Sequence, residues 1–248
     1  MIQDVILGDC FEKLKDLAPN SVDLIIIDPP YLTTSEKWDQ VEVVNDILSK
    51  ELFRVAKESC SLYVWCGIGE KSQSLIRWFP IFSKDWVFKD LITWKKQRGI
   101  GMRRGWLYTR EELMWFVKDN KQFVWNVENQ YSEEKRAKSG FAKSHSIVTG
   151  KDVLRFTNVW TDITESGLGD NGVQKWSKDL PEKLHFTPKP IKAVERIIKL
   201  HTKENDLILD CFAGSGQTGL AAKNLGRQFI LIEKDLNYYN LIKERLNA

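Results

Sequence analysis

Short apolar runs that break off at a proline, a glycine or an acid alternate along this chain with segments whose apolar residues recur every three or four positions. Val5-Ile6-Leu7 leads into Gly8-Asp9, and Asp23-Leu24-Ile25-Ile26-Ile27 stops at Asp28-Pro29-Pro30-Tyr31. Ser61-Leu62-Tyr63-Val64-Trp65-Cys66, Leu91-Ile92-Thr93-Trp94, Leu113-Met114-Trp115-Phe116-Val117, Leu207-Ile208-Leu209 and Phe229-Ile230-Leu231-Ile232 are further runs of the same kind. Runs this short and this continuous predict about seven strands buried on both faces, as in a mainly parallel sheet. Helical spacing joins Phe11, Leu14 and Leu17, a helix that Pro19-Asn20 would end. It also joins Val41, Val44, Leu48, Leu52 and Val55; Leu75, Ile76 and Phe79; and Ile191, Val194, Ile198 and His201. A last helix over 219–225 would stop at Gly226. Strands alternating with helices predict a doubly wound α/β fold.

Composition adds limits. A chain of 248 residues, 42% hydrophobic and 29% charged, suits one large domain or one domain carrying an insertion. The regular alternation is lost over 97–180, which marks the insertion. Net charge is only +3, so any basic surface is local. Cys10, Cys60, Cys66 and Cys211 form no Cys-x-x-Cys pair and lie in or beside apolar runs. They read as reduced, mostly buried thiols, with no disulfide framework and no metal site. The N-terminus has no basic region followed by an apolar core, and no apolar stretch approaches membrane length. A soluble, intracellular protein is expected.

Candidate chemistry gathers where strands end. In open α/β sheets, ligands bind beyond the carboxyl ends of the strands. At one such end Asp28, Pro29, Pro30 and Tyr31 combine an acid, two stiff residues and an aromatic ring. Asp28 and the Pro29 carbonyl suit the two protons of an exocyclic amine, and Tyr31 suits the face of its ring; an ordinary proline turn is the plainer reading. The polar loop over 32–39 reads as a lid beside this pocket. Asp9 stands at another strand end, where a helix cap is the simplest role.

Asp210-Cys211-Phe212-Ala213-Gly214-Ser215-Gly216-Gln217-Thr218-Gly219 reads as a strand end, a glycine turn and a helix start. Glycines let the backbone approach a ligand closely at a helix N-terminus. The spacing matches neither Gly-x-Gly-x-x-Gly nor Gly-Lys-Ser/Thr, which disfavours a dinucleotide or a nucleoside triphosphate. Glu233, ending the next strand, suits the hydroxyls of a ribose. A ribose-bearing, phosphate-free cofactor, S-adenosyl-L-methionine, meets these conditions.

Inside the insertion, Lys95, Lys96, Arg98, Arg103, Arg104 and Arg110 have no acid between them and are interleaved with Gly99, Gly101 and Gly105. Lys135, Arg136, Lys138 and Lys143 form a second basic group. With Trp106, Tyr108 and Trp125 nearby, and ten Trp in all, they suit phosphate contact and base stacking. A solvated charged loop is the alternative, supported by the acids between Glu128 and Glu134. His185 has no neighbours suited to metal binding or catalysis and reads as a packing residue.

Taken together these stretches resemble the S-adenosylmethionine-dependent DNA amino-methyltransferases. The order, with Asp-Pro-Pro-Tyr first, the irregular region next and the glycine turn last, is that of the β group, whose sheet is circularly permuted. The likeness covers about 4–96 and 183–246. It implies a permuted Rossmann-like sheet divided into a catalytic half (1–96), a last strand plus a variable target-recognition region (97–180) and a cofactor-binding half (181–248). It implies that Asp28, Pro29, Pro30 and Tyr31 are catalytic. It assigns Asp210, Phe212, Gly214, Ser215, Gly216 and Thr218 to the cofactor turn, Glu233 to the ribose, Asp9 to the adenine side, and Thr187 and Lys189 to the methionine carboxylate. Arg98, Arg103, Arg104, Lys135 and Arg136 would contact double-stranded DNA.

Two departures are visible. Cys211 and Gln217-Thr218 stand where the family has Pro and paired threonines, and His185-Phe186-Thr187-Pro188-Lys189-Pro190 replaces His-Pro-Thr-Gln/Glu-Lys-Pro. The activity implied is N6 methylation of a flipped adenine, because N4-cytosine members more often carry Ser at the position of Asp28. N4-cytosine methylation and a non-catalytic DNA-binding subunit are the alternatives. The expected setting is the cytoplasm of a bacterial or phage-infected cell, as monomer or homodimer, alone or beside a cognate restriction endonuclease.

Overall fold

A computed structural model describes residues 2–35, 39–100, 106–135, 153–164 and 188–247. At 97–100 and 132–135 it describes the backbone only. The chain forms β1 (Gln3–Leu7), α1 (Cys10–Lys13), β2 (Val22–Ile27), α2 (Asp46–Val55), β3 (Ala56–Cys66), α3 (Ser74–Phe82), β4 (Val87–Ile100) and β5 (Tyr108–Val117). It continues with β6 (Tyr131–Lys135), β7 (Val153–Arg155), β8 (Val159–Trp160), α4 (Ile191–His201), β9 (Leu207–Asp210), α5 (Gln217–Asn224), β10 (Gln228–Glu233) and α6 (Leu236–Leu246).

Eight strands make one sheet in the order β1-β10-β9-β2-β3-β5-β4-β8, and β6 pairs with β7 separately. β1, β10, β9, β2 and β3 run parallel. β5 is antiparallel to both β3 and β4, its neighbours on either side. The expected α/β sheet is present with one more strand than predicted. The two-residue β8 is too short to leave a sequence pattern. β4 also runs past residue 96 to Ile100, and β5 and β8 bring the 97–180 segment into the main sheet.

The apolar runs alternate between two cores. Ile25 and Ile27 of β2 face one core with Leu48, Leu52 and Trp78 of α2 and α3. Leu24 and Ile26 face the other with Val194, Ile198 and Ile242 of α4 and α6. Continuous Leu/Ile is required because both faces are covered. The α2 stripe is shorter than predicted. Asn45 accepts from the amides of Ile47 and Leu48 at 3.0 Å each, capping the helix there and leaving Val41 outside it and exposed. Most tryptophans serve packing: Trp65, Trp78, Trp86, Trp94 and Trp160 are buried, and Trp115 stacks on Trp125. Trp106 is 93% exposed. The four cysteines are buried free thiols. Among the described residues no helix is long and apolar enough to cross a membrane.

His201, at the end of α4, is a buried tie between layers. Its Nε2 lies 2.7 Å from the Tyr63 hydroxyl, and its Nδ1 lies 2.7 Å from the Val124 carbonyl and 3.1 Å from Ser61 Oγ. A carbonyl can only accept, so Nδ1 carries the proton and Nε2 accepts from Tyr63. Burial lowers the His201 pKa to about 4. The unfolded chain, with a histidine near ~6.5, binds this proton earlier, so the His201 contribution falls as pH falls from about 6.5 toward 4. Asp210, pushed up to about 7 by burial, has the opposite sign and loses stability as pH rises toward 7. The difference between wild type and His201→Gln separates the two. The stability penalty of His201→Gln, read from urea unfolding, is expected to shrink by about 2 kcal/mol between pH 7 and pH 5. A constant penalty contradicts a neutral imidazole.

Candidate active site

The connections place the site. β9 leads through α5 to β10 on one side, while β2 leads through α2 to β3 on the other, and β9 and β2 are neighbours. Chains leave these two strands in opposite directions and open a crevice at their carboxyl ends. The glycine turn ends β9 and Asp28 ends β2, so motifs far apart in sequence meet at one switch point.

On the β9 side, Asp210 is buried and accepts from the Phe212 amide (3.0 Å) and the Thr218 hydroxyl (2.6 Å), which ties the start of the turn to α5. Gly214 and Gly216 have φ of 51° and 77°, left-handed values that glycine adopts without strain. A Cβ on Gly214 would meet nothing nearer than the Phe212 carbonyl oxygen at 3.9 Å, so space lies open over the turn. Glu233 accepts from the Gly214 and Asp235 amides, both at 2.8 Å, and burial raises its pKa. Two anchored carboxylate oxygens keep lone pairs for a diol. Asp9 does cap α1, accepting from Phe11 N at 2.9 Å, while its other oxygen pairs with Lys234 at 2.8 Å. Lys234 and the cap lower its pKa. It stands beside Glu233, since the Gly8 amide donates to the Glu233 carbonyl. An open, glycine-floored space with anchored acids fits a ribose-bearing, phosphate-free ligand.

The departure at Gln217 has a structural use. Its Nε2 donates to the Lys189 carbonyl at 3.0 Å, and its Oε1 accepts from Arg245 at 2.6 Å. Arg245 also donates to the Ser215 carbonyl at 2.8 Å. A threonine is too short for such a bridge, which ties the turn to the segment before α4. Arg245 of α6 carries no motif and is missed by sequence reasoning.

On the β2 side, the Tyr31 hydroxyl donates to Asp28 Oδ1 at 2.8 Å, and Lys189 Nζ lies 2.9 Å from Oδ2. Lys189 Nζ is also 3.1 Å from Glu111 Oε2, 5.1 Å from the Tyr31 ring centre and 5.4 Å from that of Trp65. Burial raises the Asp28 pKa against the opposing pull of Lys189. Burial opposes the Lys189 charge, but Asp28 and Glu111 outweigh it and its pKa is raised. Tyr31 is thus half-buried and engaged with Asp28, edge-on to Trp78, where a free stacking platform was expected. Lys189, expected at the methionine carboxylate, sends its ammonium to two carboxylates; only its backbone reaches the turn, through Gln217.

Residues 32–34, at the start of the loop read as a lid, are tied to one side chain. Buried Asp39 accepts from the amides of Leu32 (2.7 Å), Thr33 (2.7 Å) and Thr34 (2.6 Å), and holds Leu32 at a φ of 62°. Two cations of the basic cluster have partners on β5: Lys96 pairs with Glu111, and Arg110 with Glu112 at 3.0 Å. The β4–β5 register, in which Lys95 faces Arg110, brings Glu111 beside Lys96, whereas Glu112 lies two residues on from Arg110 along β5 itself. Lys95 is exposed. Arg98 and Lys135 are described in backbone only, and Thr187, His185, Arg103, Arg104, Arg136, Lys138 and Lys143 lie outside the described residues.

Solved structures share this architecture. The cytosine-N4-specific PvuII DNA methyltransferase superposes with a TM-score of 0.70 at 17% identity, covering 97% of this chain and 85% of that one. M1.HpyAVI gives 0.63 at 26% identity, with both chains covered in full. The sheet is therefore that of a DNA methyltransferase. In sequence, the Type II methyltransferase M1.MboII of Moraxella bovis is 30% identical over 96% of this chain and 94% of its own length. M.HpaI of Haemophilus parainfluenzae is 30% identical over 100% of this chain and 75% of its own. The N6/N4 family described as DNA methylase matches residues 22–244, and the chain belongs to these S-adenosylmethionine-dependent DNA amino-methyltransferases.

Proposed function

We propose that the protein methylates the N6 amino group of an adenine extruded from duplex DNA at a specific site. The observation that carries the reading is the Asp28 carboxylate at the switch point, across the crevice from the glycine turn. Asp210, the Phe212–Gly216 turn, Thr218, Glu233 and Asp9 are the residues proposed to hold the cofactor, with Glu233 on the ribose. S-adenosylmethionine supplies a methyl group on a sulfonium, and the electron pair of the broken sulfur–carbon bond stays on sulfur.

The chain's own residues act on the amine. An amino nitrogen conjugated to its ring is a weak nucleophile. Asp28 and the Pro29 carbonyl accept hydrogen bonds from its two N–H groups and favour a pyramidal nitrogen whose lone pair is free for attack. A base that takes Asp28 Oδ1 displaces the Tyr31 hydroxyl, which frees the ring to stack on it; stacking typically contributes ~1–3 kcal/mol against the cost of extrusion. As the nitrogen–carbon bond forms, the nitrogen becomes cationic and Asp28 takes its proton. Arg98, Arg103, Arg104, Lys135 and Arg136 are proposed to contact phosphates, and exposed Trp106 to stack on DNA.

The resemblance in the Asp28 motif favours adenine. N4-cytosine methylation uses the same hydrogen bonds and is the second reading, because the architecture is shared with a cytosine-N4 enzyme. The work would be done in a bacterial or phage-infected cytoplasm, with or without a cognate endonuclease. Nucleoside mass spectrometry on DNA from methylation-deficient cells expressing the wild type or Asp28→Ala tests this. N6-methyladenine found only with the wild type is the expected result. N4-methylcytosine overturns the base assignment, and neither product from a folded, expressed protein overturns the catalytic reading.

A further inference from the structure

Asp28 is one end of a chain of four alternating charges. Lys189 bridges Asp28 and Glu111 at 2.9 and 3.1 Å, and the other Glu111 oxygen pairs with Lys96 of β4. The side chains of Lys189 and Glu111 are only 10% and 17% exposed. Burying such groups is costly, and a chain of ions is no stabilising device in itself. Its placement against the amine-accepting carboxylate gives it a different meaning.

Lys189 alone would cancel the Asp28 charge, leaving a neutral pair where methyl transfer builds positive charge on nitrogen. A second carboxylate on the far side of Lys189 restores one net negative charge to the trio, and Lys96, on the outer Glu111 oxygen, offsets it only from the end of the chain farthest from Asp28. We propose that Glu111 is a positioning residue for methyl transfer: it takes a share of the Lys189 ammonium, so that Asp28 faces the developing cation with part of its charge uncompensated. The inference rests on the proposed role of Asp28. The Lys189 backbone is held by its carbonyl bond to Gln217, and its ammonium stands 2.9 Å from Asp28 and 3.1 Å from Glu111, shared between the two acids. Electrostatic groups preset toward developing charge do their work without reorganising.

The groups acting on Asp28 are Lys189 before α4, Glu111 on β5, and Tyr31 after β2, with Asp210 across the crevice and Lys96 behind Glu111. Glu111 disfavours the charged form of Asp28, so its removal lets Lys189 act unopposed and moves the acid limb of the rate profile to lower pH. The experiment is single-turnover transfer of a tritiated methyl group from S-adenosylmethionine to unmethylated genomic DNA. The full chain is assayed between pH 5.5 and 9 beside calorimetric cofactor binding. Glu111→Gln is expected to lower the rate about 10–100-fold, below the usual loss for a direct contact, with cofactor affinity changed less than about threefold and the acid limb displaced downward. Glu111→Asp, which keeps the charge but withdraws it, should lose less and keep the wild-type limb. A Glu111→Gln enzyme with wild-type rate and profile, while Asp28→Ala is inactive, overturns the inference alone. Near-normal transfer by Asp28→Ala instead overturns the reading beneath it. Should Glu111→Gln not fold, Glu111→Met, uncharged and of similar volume, is assayed in its place, and a wild-type rate and profile in it is the overturning result.

Discussion

Asp28→Ala is expected to lower methyl transfer by about 10²–10⁴-fold, the range lost when a proton acceptor or a charge-stabilising contact is removed. The reason lies in timing. The amine becomes acidic and cationic only as the new bond forms, so a contact to Asp28 is stronger in the transition state than in the complex that precedes it. Cofactor affinity should change by less than about threefold, because the glycine turn and Glu233 occupy other strand ends. Asp28→Asn keeps the shape and one acceptor oxygen but not the charge, and should fall between wild type and Asp28→Ala. Truncation also frees the Tyr31 hydroxyl and leaves Lys189 with Glu111 alone. A thermal melt beside each assay therefore separates lost chemistry from lost structure. Near-normal turnover by a folded Asp28→Ala protein would show that the carboxylate is not where the chemistry occurs.

Gly216→Val should have the largest effect on the other half of the site. Gly216 has a φ of 77°, and a Cβ there would come within 3.1 Å of Ile242 Cγ2. A β-branched residue adds roughly 1–2 kcal/mol of left-handed strain and a similar overpacking cost against α6. Together these are about 3 kcal/mol, a melting temperature lower by roughly 6–12 °C for a chain of this size. The turn also opens α5: the Leu220 amide donates to the Gly216 carbonyl at 2.9 Å, and Thr218 anchors Asp210. Shifting the turn should therefore weaken S-adenosylmethionine binding at least about tenfold by calorimetry, a loss of ~1.4 kcal/mol or more. Gly216→Ala, lacking the γ-methyls, should show a smaller version of both effects. Wild-type affinity in folded Gly216→Val would remove this turn from the cofactor site.

Local physics made the strand ends readable. An unbroken Leu/Ile run followed by Pro-Pro, or by a turn that needs left-handed glycines, marks its own carboxyl edge; Asp9, Asp28, Asp210 and Glu233 were therefore placed before any contact was known. Helix starts were less legible. The Asn45 cap shortens α2 although Val41 and Val44 continue its period, because a hydrogen bond from one side chain outweighs a hydrophobic repeat at a helix end. The basic cluster looked acid-free because its acids lie just beyond it: Glu112 pairs with Arg110 two residues back along β5, and Glu111 reaches Lys96 only through the β4–β5 register.

Every partner of Lys189 shows the same division. Position 189 could be matched to a motif, but the destination of its ammonium depends on β2, β5 and the segment before α4 converging on one point. Gln217 looked like a simple departure from the family until α6 brought Arg245 to its far side. The chain's local patterns thus decided which elements form and which acids end them. Strand order and register decided which charges meet, because an ion pair such as Lys189–Glu111 or Lys189–Asp28, between residues far apart in sequence, has no local signature and exists only once the sheet has assembled.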